Sequence, residues 1–186
     1  MAFKFLRKRL PDRHTVHQYK WLAWCRHWLD HPNLWALNRD SVAGGFAIGL
    51  FSGLIPGPVQ MLGAILLTLL FKRNIPVALA TTFYTNPFTI APLYLLAYGY
   101  GRLLLGNGNH AEVVPFIWNW SDWVHSFREL LQWAISLGPP LAVGLVALAL
   151  TLALVGYFAV QLGWRVYVVF AWRARARRRL ARNTKY

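Results

Sequence analysis

Tyr84-Thr85-Asn86-Pro87-Phe88-Thr89-Ile90-Ala91-Pro92 interrupts a largely apolar tract that otherwise runs from Ile75 to Leu105. Proline lacks a backbone donor, clashes with the preceding helical turn and pushes the residue before it out of the helical region. A helix entering this stretch must therefore stop or kink at Asn86-Pro87. At membrane depth such a break is tolerated only where neighbouring protein or a wet cavity satisfies the freed backbone groups. The stretch is thus both the hinge of the fold and the first place to look for a site.

The rest of the chain reads as a membrane protein. Hydrophobic residues make up 56% of 186, and there are six acids. Neither Ser41–Phe71 nor Leu137–Leu162 contains a charged residue. The second tract alone exceeds the roughly 20 apolar residues that cross about 30 Å of hydrocarbon. The net charge of +14 is polarised. Residues 1–40 carry +5, residues 102–136 carry −1 and residues 137–186 carry +8. By the positive-inside rule both termini are expected in the cytoplasm of a bacterial cell, with 106–136 outside its inner membrane. The single Cys25 cannot form an internal disulfide. The basic N-terminus lacks an early apolar core and is expected to be retained rather than cleaved as a signal.

The first tract is interrupted at Ile55-Pro56-Gly57-Pro58, which leaves two halves of about 14 residues, each about 20 Å long. That is short of a crossing, so 42–71 is expected to be a re-entrant hairpin closing at Lys72-Arg73; two short, tilted crossings are the alternative. Gly45, Gly49 and Gly53 recur every four residues and form a thin stripe that lets another helix approach. The approaching helix is either one of the same chain or the seam of a homodimer. The second tract, broken at Pro87 and again flagged at Pro92, is expected to be a discontinuous span. Tyr94, Tyr98 and Arg102 share one stripe along it, read as an aromatic belt with a snorkelling arginine.

Four segments follow. Residues 1–40 form a basic, amphipathic segment at the cytoplasmic interface. It includes a helix over His17–Asp30, a second short helix through Leu34, Trp35 and Leu37, and a cap at Asp40-Ser41. Residues 41–105 form the membrane core. Residues 106–136 hold a turn at Asn107-Gly108-Asn109 and a Trp-rich outer interfacial helix, with Trp120, Val124, Phe127, Leu131 and Ile135 on one face. Residues 137–186 form a transmembrane helix with an Arg-rich tail. The fold class is all-α: a polytopic membrane protein with a proline-broken re-entrant hairpin, a discontinuous span, an interfacial helix and one long transmembrane helix.

No Asp, Glu, His or Cys lies between Ser41 and Leu105. Hydrolysis or group transfer needs paired carboxylates, an activated nucleophile or a metal, so no catalytic residue, metal or cofactor is expected. His14, His17, His27 and His31 have spacings that could ligate zinc, but they read as solvated interfacial residues. What remains is polar backbone at depth. Helix halves starting at Pro58 and near Phe88 would aim their positive ends at the midplane. With Gln60, Tyr84, Thr85, Asn86 and Thr89, and with Lys72 and Arg73 at the inner mouth, they could hold a lipid phosphate. The same atoms could equally do nothing but cap broken helices.

The motifs Gly49-x-Phe51-x-Gly53-x-x-Pro56, Asn74-x-Pro76, Tyr84-x-Asn86-Pro87-x-Thr89-x-x-Pro92 and Tyr98-x-x-Gly101 resemble a bacterial membrane-protein family known only as a domain of unknown function. The resemblance implies an inner-membrane location. Some members are fused to glycosyltransferase-like modules, which hints at lipid-linked sugars. The hairpin-plus-broken-helix layout is similar in architecture to DedA-type lipid transporters.

Two functions of different class are therefore expected in competition. One is a binder or translocator of an anionic lipid or lipid-linked carrier, which requires a cavity reaching Asn86. The other is a non-transporting accessory or scaffold that docks a membrane-protein partner, or a second copy, through its outer helix or basic tail. Nucleic acid is an unlikely partner, since topology and anionic lipid already account for the arginines.

Overall fold

A computed structural model of the chain describes residues 31–57, 59–106, 116 and 121–183, with backbone alone from 174 onward. The basic segment 1–13, the helix expected over 17–30, Pro58, the 107–109 turn, Trp118 and Trp120 lie outside the described residues. All the regular structure described is helical. After a 3-10 turn at Pro32–Leu34 come α1 (Arg39–Ser52), α2 (Val59–Phe71), α3 (Ile75–Thr82), α4 (Ile90–Leu105), α5 (Trp123–Ser136) and α6 (Gly138–Asn183).

The prolines explain where helices begin. Pro76 and Pro92 fall in the first turns of α3 and α4, and Pro139 and Pro140 in that of α6. There the missing N–H would have had no partner within the helix. Pro92 therefore starts a helix, which corrects its reading as a break. A second correction concerns the cap of α1. Asn38, not Asp40-Ser41, accepts the Ser41 N–H through its side chain at 2.7 Å. The segment expected to be helical through Leu37 is only the 3-10 turn.

α1 and α2 form an antiparallel pair. At its open end Asn74 N–H donates to Ser41 O, Arg73 to Asp40 O and the Asn74 amide to Ala36 O. Lys72 is the left-handed residue (φ 52°) that stops α2, with Lys72 N–H bonded to Leu69 O and Arg73 N–H to Thr68 O. The glycine stripe of α1 is occupied by α3 of the same chain. A Cβ on Gly45 would lie 2.5 Å from Asn74 O, and one on Gly49 2.5 Å from Ala78 O. Small residues thus let the two backbones touch.

α6 is the spine. Its N-terminal half runs antiparallel to α4, where a Cβ on Gly101 would collide with Pro140 O and one on Gly144 with Ala97 O. Its lower half runs antiparallel to α1, where Gly156 faces Phe46 and Leu50 and the Gln161 amide donates to Asp40 at 2.8 Å. That bond holds the Asp40 carboxyl below its ordinary range; partial burial opposes it, and Arg39 and Arg73 reinforce it. α6 continues unbroken for 46 residues into the basic tail.

The α4–α6 core is built on Tyr94, Ala97, Tyr98 and Leu141, with Trp133, Ala134 and Leu137 against it. Tyr94 and Tyr98 are 1% and 6% exposed. They are core residues, which corrects the aromatic-belt reading; Arg102 sits 5.9 Å from the Tyr98 ring centroid. The reading of α5 also shifts. Its packed side is Ser126 and Leu130 flanked by Phe127, Trp133 and Ala134, whereas Val124 and Ile135 are exposed. The expected face was a turn-edge off, because the C-terminal end of α5 packs Trp133 and Ala134 against the α4–α6 core.

Candidate functional site

The site lies where the two breaks meet. α1 ends at Ser52 with carbonyls that have no helical partner, as every helix end does. Three hydroxyls from the second tract answer them. Tyr84 Oη donates to Leu50 O at 2.8 Å, Thr85 Oγ1 to Gly53 O at 2.7 Å and Tyr94 Oη to Leu54 O at 3.1 Å. Tyr84 and Thr85 thus close the first break, which is the backbone accounting that an apolar environment demands.

The second break closes itself. Asn86 Oδ1 accepts from Phe88 N–H at 2.9 Å and Thr89 N–H at 3.1 Å. In return Thr89 Oγ1 accepts from Asn86 N–H at 2.9 Å and donates to Tyr84 O at 2.7 Å. Ile90 N–H goes to Asn86 O. The N–H groups of Asn86, Phe88 and Thr89 are therefore spent on this reciprocal cap, and that of Ile90 on the Asn86 carbonyl.

A half-open cleft of about 170 Å³ remains between the breaks. Gly57, Gln60, Thr85, Asn86 and Pro87 form its floor, and Ile90 with Phe127 and Leu130 of α5 forms an apolar side. Gly57 has φ 74°, and a Cβ there would meet the Phe127 ring at 2.9 Å. Glycine thus serves both the left-handed turn and the close approach of α5.

The polar floor has spare capacity. Thr85 Oγ1 also lies 3.0 Å from Thr82 O and 2.9 Å from Gln60 Oε1. A hydroxyl has one proton to share among these acceptors, and whichever way the Gln60 amide is turned it makes at most one bond to Thr85. Gln60 then keeps at least one N–H and a carbonyl lone pair for the cleft, and Asn86 Nδ2 has no partner among the described residues.

Of the seven residues the sequence suggested, Gln60, Thr85 and Asn86 come together in the cleft. Tyr84 is a clamp and Thr89 a cap. Lys72 and Arg73 lie at the far end of α2, about 20 Å away along its thirteen residues. Phe127, Leu130 and Ile90 were not foreseen as lining. The spacing of Phe127 and Leu130 on an amphipathic helix was the available signal, but nothing local says which tract they cover. Among the described residues no group of three His, Cys, Asp or Glu could hold a metal.

Residues 22–173 match the family described as an uncharacterized protein conserved in bacteria, DUF2062. The chain belongs to the DUF2062 family. The match takes in both breaks and every residue of the cleft, so the site lies inside the family domain rather than in an appendage. No curated protein and no solved structure matches the chain.

Proposed function

We propose that this DUF2062 member is an integral protein of the bacterial inner membrane that binds lipid in the cleft between its two helix breaks. α6 is long and apolar enough to cross a bilayer, and its most apolar stretch is only 17% buried. Leu62, Leu66 and Leu70 on α2 and Leu150, Leu154 and Leu162 on α6 are exposed large apolar side chains. Such a surface is suited to hydrocarbon rather than to water. In that setting the α1–α2 pair is a re-entrant hairpin and α3–α4 a discontinuous span. The termini and the Lys72–Arg73 turn are cytoplasmic.

The observation that carries the proposal is the cleft itself: an apolar side for an acyl chain and an amide-bearing floor for a headgroup, in a half-open site about 20 Å along α2 from the basic turn. A break that served only as a cap would be packed shut. The test is reconstitution in liposomes with a lipid carrying a photoreactive acyl chain, and with leaflet exchange of a fluorescent lipid followed in parallel. Crosslinks at Phe127 or Leu130 are expected in the wild type and lost in Ile90→Trp, which fills the cleft. Crosslinking that ignores the filled cleft sinks the proposal. Faster exchange than in protein-free vesicles would add translocation to binding.

A further inference from the structure

Among the described residues, none that lines the cleft is ionisable. Lys72 and Arg73 stand about 20 Å off, at the other end of α2. Arg102 lies twelve residues into α4 beside Tyr98, about 18 Å along the helix from Ile90. Arg128 is exposed on α5 and is not among the lining side chains. The N–H groups of Asn86, Phe88, Thr89 and Ile90, which lead into α4, already have partners within the break. An anionic phosphate seated here would shed part of its hydration with no cation among the lining residues to replace it. An uncharged group with hydroxyls loses far less and finds matched partners. The floor offers both donors and an acceptor: Asn86 Nδ2, and the remaining N–H and carbonyl of Gln60.

Resting on the lipid-binding function proposed above, we infer that the headgroup taken into the cleft is uncharged and hydroxyl-bearing, as in a glycosyl- or acylglycerol lipid, read by Gln60 and Asn86. The anionic ligand expected from the sequence depended on Lys72, Arg73 and open helix ends converging on Asn86. The fold keeps the two basic residues away and uses the donors of Asn86, Phe88, Thr89 and Ile90 within the break.

The experiment is competitive retention on the full chain in detergent, read by native mass spectrometry. The probes are monoglucosyl-diacylglycerol and phosphatidylglycerol of identical acyl chains. Both offer hydroxyls, so they differ chiefly in charge. Wild type is expected to retain the neutral lipid several-fold over the anionic one. Asn86→Asp keeps the oxygen that caps α4 but removes the donor, and should lower neutral-lipid retention roughly fivefold, the share of one hydrogen bond. Gln60→Lys puts a cation on the floor and should turn the preference towards phosphatidylglycerol. Circular dichroism melts show whether each variant is folded; should Asn86→Asp fail, Gln60→Lys decides alone. Preferential retention of phosphatidylglycerol by wild type, or equal retention of the two, overturns the inference while leaving lipid binding intact. Retention of neither lipid removes both.

Discussion

At the scale of single residues, the polar side chains near the breaks divide by whether their atoms are already spoken for. Thr85 is 7% exposed, and its hydroxyl serves the Gly53 carbonyl. Thr85→Val conserves shape but leaves that carbonyl without its donor inside an apolar fold. The expected loss is about 1–3 kcal/mol, the cost of an unsatisfied buried group. Thr85→Ser restores the hydroxyl and should recover most of it. Unfolding in mixed micelles measures both; a Val variant as stable as wild type would show that Gly53 O finds another partner. Asn86 differs because only its oxygen is used, in the Asx-type cap. Its nitrogen is what makes it a candidate for ligand contact, a distinction no residue name conveys.

At the scale of elements, the helices associate by close backbone approach, the means expected in the membrane setting proposed above, where apolar side chains are as content in lipid as in protein. The α4–α6 crossing shows this most sharply. Ala97 and Gly101 of one helix and Gly144 of the other bring the two backbones into contact. Gly144→Ala would drive a methyl into the Ala97 carbonyl, and backbone cannot step aside as a flexible side chain can. The helices must separate, at a cost expected at or above the usual 1–3 kcal/mol of overpacking. Gly99→Ala, on a face with nothing within 4 Å, is the control and should be silent. Comparable melting of the two variants would show that α4 and α6 are held otherwise. Here the limits of the sequence are plain. The helix boundaries near Ser52, Val59 and Ile90 were legible, because proline and glycine act on the chain locally. So was the α1 stripe, because a four-residue repeat stays on one face. The pairing of Gly101 with Gly144 was not, because neither belongs to a regular repeat on its own helix and their meeting depends on how two distant segments dock. The burial of Tyr94 and Tyr98 escaped for the same reason: an aromatic stripe reads alike whether it faces lipid or another helix.

At the scale of the whole molecule, the ends of the helices sort into two levels, which for the membrane placement proposed above set what would cross. Asp40, Arg73, Asn74 and Gln161 meet at one end, joined by hydrogen bonds. The α5–α6 junction at Ser136–Gly138 lies at the other, beside the crossing of Gly101 with Pro140. Between them α2 spans thirteen residues, about 20 Å, which is short of the roughly 30 Å of hydrocarbon. If the basic end is cytoplasmic, the turn between α1 and α2 stops within the bilayer. Cysteine accessibility reads this directly in a Cys25→Ser background, with membrane-impermeant maleimide applied to spheroplasts before or after lysis. A cysteine at Ser136, an exposed position, should react before lysis, and one at Lys72, also exposed, only after it. The deciding site is Val59, 55% exposed at the tip of the hairpin. Val59→Cys should resist the reagent from both sides, because its exposure is to lipid. Reaction from outside would make α1 and α2 two short crossings and open the cleft, with Gln60 next to Val59, to the outer solvent. A water-facing cleft would no longer penalise an anionic headgroup, so the topology of one short helix also bears on which ligands the site can hold.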